Sequence, residues 1–310
     1  MNNSISVIIP SYSIERFNDI KDLVYSILIQ KDPVELVFVI ERSKQLADRL
    51  QVFLKDVGCN YKIIFSNSRL GLANARNLGI ENASGQYIAF VDDDALLSPN
   101  WSKALLDAFD RYPAIAGCTG PVIPKWASSE YAWFPKSFYW MIGCTAWRDF
   151  SHERLVDHAP GVNMVFRKDV IGGKRFIDKF TDGAGQSGKA GLVGDDLDFV
   201  IRLISTTGQK ILYSPSIAVF HKVPAYRLRL SYLKKYAFWQ AVAEVRYDKL
   251  YGSKHRAESR KLFLKQLIND ILYPSTLQNL VKRTYFIAYC LLFSIFGYSA
   301  ARYLYREPLW

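Results

Sequence analysis

Cysteine is scarce in this chain of 310 residues. The four present, Cys59, Cys118, Cys144 and Cys290, show no CxxC spacing and no histidine pattern beside them. That argues against a zinc framework or a disulfide scaffold and fits a reducing cytosol. No GxGxxG and no GxxxxGK[ST] follows an apolar run, so the fingerprints of dinucleotide dehydrogenases and P-loop nucleotidases are missing. The opening MNNSISVIIP has neither a basic segment nor a long apolar stretch before a cleavage site, and the catalytic region is not expected to be exported. Internal repeats and low-complexity tracts are absent as well.

What is present is a composition that is 50% apolar with a formal charge of +11. Such a chain can bury a full core, and its length suits one large domain or one domain with an appendage. The charge is unevenly placed. Between Lys222 and Arg283 there are fourteen Lys or Arg against four acids, a bias that speaks to partners rather than to fold.

Apolar spacing alternates between two periods in the first part of the chain. Strand-like runs at Val7 to Pro10, Leu36 to Ile40, Tyr61 to Phe65 and Gln86 to Val91 are separated by helical patterns. These patterns comprise Phe17 to Leu28, Leu46 to Val57 and Leu72 to Asn82. Strands alternating with helices imply βαβ units, a mainly parallel sheet, and ligands at the carboxyl ends of the strands. After Gly120 an aromatic stretch from Lys125 to Phe150 interrupts the rhythm. Sheet signals return at Asn163 to Phe166, a Gly-rich loop covers Thr181 to Gly194, and a helix follows from about Asp196 to Thr207. Short strands at Lys210 to Tyr213 and Ile217 to His221 close this part.

Two acidic groups stand out. Asp92, Asp93 and Asp94 directly follow the apolar run Ile88 to Val91. Adjacent carboxylates repel one another unless a cation or hydrogen-bond donors compensate, and oxygen-rich clusters suit Mg²⁺ or Mn²⁺. The alternative is a solvated turn capping a helix near Trp101, with Ser98 and Asn100 as nearer caps. Asp195, Asp196 and Asp198 open a second helix, where they point in different directions. One can face a substrate while simple capping accounts for another. Trp126, Trp133, Trp140 and Trp147 either stack on sugars, meet a lipid surface or pack in a core.

The segments SVIIPSY (Ser6 to Tyr12), RLGLANARNLGIENASGQYIAFVDDDA (Arg69 to Ala95), GVNMVFRKDVI (Gly161 to Ile171), GDDLDFVIRL (Gly194 to Leu203) and the strand ending at His221 occur in the order and at the spacing of a known family. Over roughly residues 5 to 222 the chain resembles the family 2 glycosyltransferases with a GT-A fold. The resemblance implies an α/β, Rossmann-like domain with a mainly parallel sheet that binds a nucleotide-sugar donor with Mg²⁺ or Mn²⁺. It places Asp92 at the donor ribose and Asp94 on the metal, with His221 a further metal ligand. Pro10, Tyr12, Arg76 and Asp93 fall among the donor-binding positions. Glu41 stands near a position where many relatives use Asp for the nucleobase. Asp196 matches the general base, and Asp195 replaces the Glu that usually precedes it. The aromatic stretch is also similar to archaeal-type members that extend polyprenyl- or dolichyl-linked sugars.

From about Tyr226 the chain reads as helical, basic and aromatic, ending in an uncharged run from Thr284 to Ala301. Eighteen helical residues span about 27 Å, just under the roughly 30 Å of a hydrocarbon core. Basic residues flank both ends, so they assign no orientation. An in-plane or shallow helix is the expectation; a short span and a helix buried on the protein are the alternatives. The chain is thus divided into a nucleotide-sugar domain, 1–225, and a membrane-docking region, 226–310, held at the cytoplasmic face of a membrane. The expected partner of the basic region is an anionic lipid surface and not nucleic acid. The expected reaction is inverting transfer from a UDP-linked sugar to a lipid-linked saccharide. Alternatives are a polyprenyl-phosphate sugar synthase and a non-catalytic sugar-nucleotide-binding module.

Overall fold

The computed structural model describes residues 4–145, 151–177, 194–252, 257–273 and 276–304. Trp147 and all of the Gly-rich loop except Gly194 lie outside the described residues. In chain order the first elements are β1 (Ile5–Ser11), α1 (Phe17–Leu28), β2 (Val34–Glu41), α2 (Lys44–Val57), β3 (Tyr61–Ser66), α3 (Leu72–Asn82) and β4 (Tyr87–Phe90). There follow β5 (Ala95–Leu97), α4 (Trp101–Arg111), β6 (Gly117–Thr119), β7 (Val122–Trp126), β8 (Arg154–Val156), β9 (Met164–Arg167) and α5 (Lys168–Ile171). The last are α6 (Asp195–Thr207), β10 (Ile211–Tyr213), β11 (Val219–Val223), α7 (Leu230–Tyr251), α8 (Ala257–Leu272) and α9 (Leu277–Leu304).

Eight strands form one sheet in the order β3-β2-β1-β4-β9-β6-β10-β8, and three form another in the order β5-β11-β7. β1 lies parallel to both β2 and β4, and β9 runs antiparallel to its neighbours β4 and β6. The β-branched runs of β1 and β2 are buried almost throughout, as expected of strands covered on both faces. Strand order reverses between β1 and β4, which opens a crevice at their carboxyl ends.

Local chemistry fixes the flanking helices. Ser43 caps α2 by accepting from the Leu46 N–H, and Gly58 ends that helix in the left-handed region with φ 66°. Buried Phe17, Ile20, Leu23, Val24 and Ile27 form one stripe of α1. At the amino ends of the strands Glu35 accepts from the hydroxyls of Ser6 and Ser84 and pairs with Lys62 at 2.8 Å. This clasp ties β1, β2, β3 and the turn before β4 together.

The chain divides into two compact units, neither of them a continuous segment. One comprises Met1–Ile123, Phe150–Asp178 and Asp195–His221; the other comprises Pro124–Asp149, Lys179–Gly194 and Lys222–Trp310. In the second unit Phe134 lies 4.8 Å and Trp133 5.9 Å, centroid to centroid, from Phe286 of α9. Arg283 donates to the Trp133 carbonyl at 2.8 Å, and the Asp270 carboxylate accepts from the Ser137 N–H at 2.7 Å. Trp126 packs on Tyr139, and Trp140 on Tyr236. Trp126, Trp133 and Trp140 are each half-buried, with one side packed on a neighbouring ring. Residues Leu277–Tyr303 form a helix long and apolar enough to cross a membrane, with mean hydropathy 1.5 in its most apolar stretch, of which 28% is buried.

Candidate active site

The site begins where β4 ends. Asp92 turns the chain, accepting through its carbonyl from the Ala95 N–H, and the chain re-enters a sheet as β5. β5 pairs antiparallel with β11 in a register that sets Ala95 opposite His221. That register brings the histidine onto the acidic cluster: His221 Nε2 lies 3.0 Å from Asp94 Oδ1, and both side chains are buried. One ligand atom each from Asp92, Asp94 and His221 lie within 4.8 Å of one another. The 3.0 Å separation of Asp94 and His221 is that of a direct imidazole–carboxylate contact, and two ligands about 2.1 Å from one small cation would stand a similar distance apart. The two carboxylate oxygens and one imidazole nitrogen also suit such an ion.

The solvated-turn alternative for the triple aspartate does not hold, because Asp93 and Asp94 are both buried and β5 intervenes before α4. Asp93 turns inward and accepts from the Ser11 hydroxyl at 2.5 Å, tying the end of β4 to the end of β1. Burial pushes its carboxyl up to about 7, against the opposing effects of Ser11 and Arg16. Arg16 is a residue that the sequence reading missed. It donates to Asp94 Oδ2 at 3.0 Å and lies 3.8 Å from Asp93. A lone arginine in the turn after β1 has no motif to mark it.

The second acidic group sits on the first turn of α6. Asp195 is buried, and its Oδ2 accepts from Arg76 Nη1 at 2.8 Å. Burial pushes the Asp195 carboxyl up and the Arg76 guanidinium opposes it. Arg76 Nη2 lies 3.8 Å from Asp92, and the guanidinium covers the Phe176 ring at 5.3 Å. One side chain on α3 therefore touches both acidic groups. Asp196 is half-buried; its Oδ2 accepts from the Gly161 N–H at 2.9 Å and its Oδ1 from the Leu197 N–H at 2.8 Å. A Cβ at position 161 would stand 2.5 Å from Arg76 Nη2 and 3.3 Å from Asp196 Oδ2, so any side chain there would displace the Arg76 guanidinium. Asp198 is buried and pairs with Arg202 one turn along α6.

Glu41, at the end of β2, uses its Oε2 to accept from the N–H groups of Leu70 and Gly71 at 2.6 and 2.9 Å. It pins the loop that leads into α3. Pro10 lies within β1 and is partly exposed, whereas the Tyr12 side chain just beyond it is 56% exposed.

Residues 6–172 match the glycosyl transferase family 2 profile. The chain is 28% identical over 301 residues, 96% of its length and 93% of the other, to the glucosyl-dolichyl phosphate glucuronosyltransferase of Haloferax volcanii. It is 30% identical over 173 residues, 53% of this chain and 48% of the other, to the succinoglycan biosynthesis protein ExoM of Rhizobium meliloti. The mannosyltransferase PcManGT of Pyrobaculum calidifontis, solved with GDP-Man and Mn²⁺, superposes with a TM-score of 0.61 at 14% identity, covering 98% of this chain and 87% of that one. Residues 1–349 of TarS from S. aureus, solved with UDP, superpose with a TM-score of 0.52 at 16% identity, covering 98% and 91%. With more than half of its length matched by that profile and a GT-A fold behind it, this chain belongs to glycosyl transferase family 2.

Proposed function

We propose that this glycosyltransferase moves a sugar from a UDP-linked donor to a lipid-linked saccharide by a single displacement that inverts the anomeric centre. The observation that carries the reading is the reach of Arg76 to both Asp92 and Asp195, which couples a cation-ready cluster to a second carboxylate site. In this reading Asp94 and His221, with Asp92 beside them, would hold Mg²⁺ or Mn²⁺, and Asp92 would border the donor ribose. A bound divalent ion offsets the charge that builds on a departing nucleoside diphosphate. Asp93 fixes the turn from within, and Pro10, Tyr12 and Glu41 border the donor.

Asp195 is locked to Arg76, so Asp196 is the carboxylate available to an acceptor. Its two backbone donors, the N–H groups of Gly161 and Leu197, hold it in place. Asp196 takes the proton from the acceptor hydroxyl as that oxygen attacks, a contribution of roughly 10²- to 10⁴-fold, or about 3 to 5 kcal/mol. The acceptor class rests on the archaeal relative, whose name describes glucuronosyl transfer to glucosyl-dolichyl phosphate. Residues 1–225 carry donor chemistry, and 226–310, through the exposed apolar surface of α9, hold the enzyme to the cytoplasmic face of a membrane where such acceptors reside.

The test is incubation of membranes containing the enzyme with labelled nucleotide sugars, followed by mass spectrometry of the lipid fraction. A product one sugar longer than a lipid-linked saccharide supports the reading. A sugar appearing directly on a polyprenyl phosphate would replace it with the synthase. Unchanged turnover in Asp196→Asn would point the same way, because an ionised phosphate acceptor needs no base at neutral pH.

A further inference from the structure

α9 packs along α7 in a fixed register. The Tyr289 hydroxyl donates to the Leu230 carbonyl, 59 positions away, at 3.5 Å. One turn on, the Lys234 ammonium lies 5.3 Å from the centre of the Phe293 ring. A Cβ at Gly297 would stand 2.2 Å from the Phe238 carbonyl oxygen, so the two backbones approach closely there. A turn later still, Ala301 shares a buried cluster with Val242 and Val245. Positions 230, 234, 238 and 242 thus face 289, 293, 297 and 301 in sequence, and the two helices run parallel, side by side.

This register decides between the ways in which α9 can meet a bilayer. The middle of the uncharged run Thr284 to Ala301 lies at the level of Leu233 and Lys234 on α7. If α9 crossed a membrane, α7 would be drawn in beside it, with exposed Lys234 and Lys235 at mid-bilayer, the depth at which a charged side chain is most unfavourable. The side of α9 turned away from α7 is different. There Tyr285, Leu292, Ile295, Phe296 and Tyr298 are exposed and uncharged, and exposed Lys282 and Arg302 bracket them. An apolar face between cations matches the acyl boundary and anionic headgroups of a lipid surface.

We infer that α7 and α9 form a rigid pair lying in the plane of an anionic lipid surface, with α9 sunk by its outer face and α7 kept in the headgroup and aqueous layer. This inference rests on the proposed membrane attachment and gives its geometry. The pair is a raft rather than an anchor, so both ends of α9 stay on the side of the bilayer that holds the catalytic unit.

The experiment places single spin labels at Tyr285, Leu292 and Ser299 of the full chain, with the native cysteines replaced. The protein is bound to sealed phosphatidylcholine–phosphatidylglycerol vesicles. Flotation is measured first, then the depth of each label from its exposure to oxygen and to a nickel chelate. Similar shallow depths of roughly 5–10 Å at all three positions, together with reduction of all three labels by external ascorbate, are the expected result. A Leu292 label near the bilayer centre, with one of the other two reduced by external ascorbate and the other protected, would overturn the in-plane pair and leave membrane attachment standing. Failure of the unlabelled protein to float with anionic vesicles would sink the attachment reading itself. Should cysteine replacement disturb folding, brominated lipids quenching the native tryptophans, compared with and without a Phe296→Trp change, give the same depth.

Discussion

Arg76→Met removes the guanidinium that joins the two acidic groups and leaves a side chain of similar length. At 2.8 Å from Asp195, a unit pair attracts by about 6 kcal/mol at an effective dielectric of 20, a gross figure that desolvation largely offsets. Removing one partner strands a buried charge, which costs about 3–5 kcal/mol. The sign with pH follows from Asp195, whose carboxyl burial already pushes up against Arg76. Without Arg76 it rises further, so the folded variant holds a proton that the unfolded chain releases. That protonation supports the fold fully below the unfolded carboxyl range near 4, and the support is lost as pH rises toward the folded value. The variant should therefore lag the parent most at pH 8 and least at pH 5. Arg76→Met/Asp195→Asn, which strands no charge, should recover at least about 2 kcal/mol of the deficit. Urea unfolding followed by circular dichroism at the two pH values measures all three proteins. A variant as stable as the parent at pH 8, or a double variant no better than the single one, would refute the argument.

Asp196→Asn should lower turnover by roughly 10² to 10⁴ with donor affinity nearly unchanged; the same loss from Asp195→Asn alone, measured by initial rates, would exchange their roles. Asp94→Ala and His221→Ala should each weaken Mn²⁺ binding, read by electron paramagnetic resonance of the free ion, by at least about tenfold, and excess chelator should stop transfer. Glu35 is pushed up by burial, but Lys62, the two serine hydroxyls and the Ser84 N–H outweigh this and hold it at about 2. Its clasp therefore contributes on the order of 2 kcal/mol above the unfolded value near pH 4.5, lost as pH falls toward 2; Glu35→Gln should lower the melting temperature at pH 7 and much less at pH 3. Because removal of α9 would uncover Phe134 and Trp133, Leu292→Asp/Phe296→Asp is the cleaner test of attachment. It should reduce flotation with anionic vesicles several-fold and spare donor hydrolysis.

Period and punctuation in the sequence were enough to mark β1 to β4, their helices and α6, because buried strands need continuous apolar runs and helices need one apolar stripe. The triple aspartate announced itself for a related reason: three adjacent carboxylates at a strand end are unfavourable unless something compensates them. Spacing alone did not reveal β5, three residues long, although its pairing with β11 is what carries His221 to Asp94. Nor did it reveal Arg16 or the bridging reach of Arg76, since a single arginine has no periodicity and acquires meaning from the carboxylates that folding sets beside it. Glu41 looked like a nucleobase contact and is in part a loop brace, a distinction made by two backbone N–H groups some thirty positions away. The same holds at the C-terminus. Composition determined that α9 is apolar enough to meet lipid, whereas its register against a helix bearing Lys234 and Lys235 could be decided by tertiary packing alone, because the energy of a charge depends on which neighbours exclude water from it.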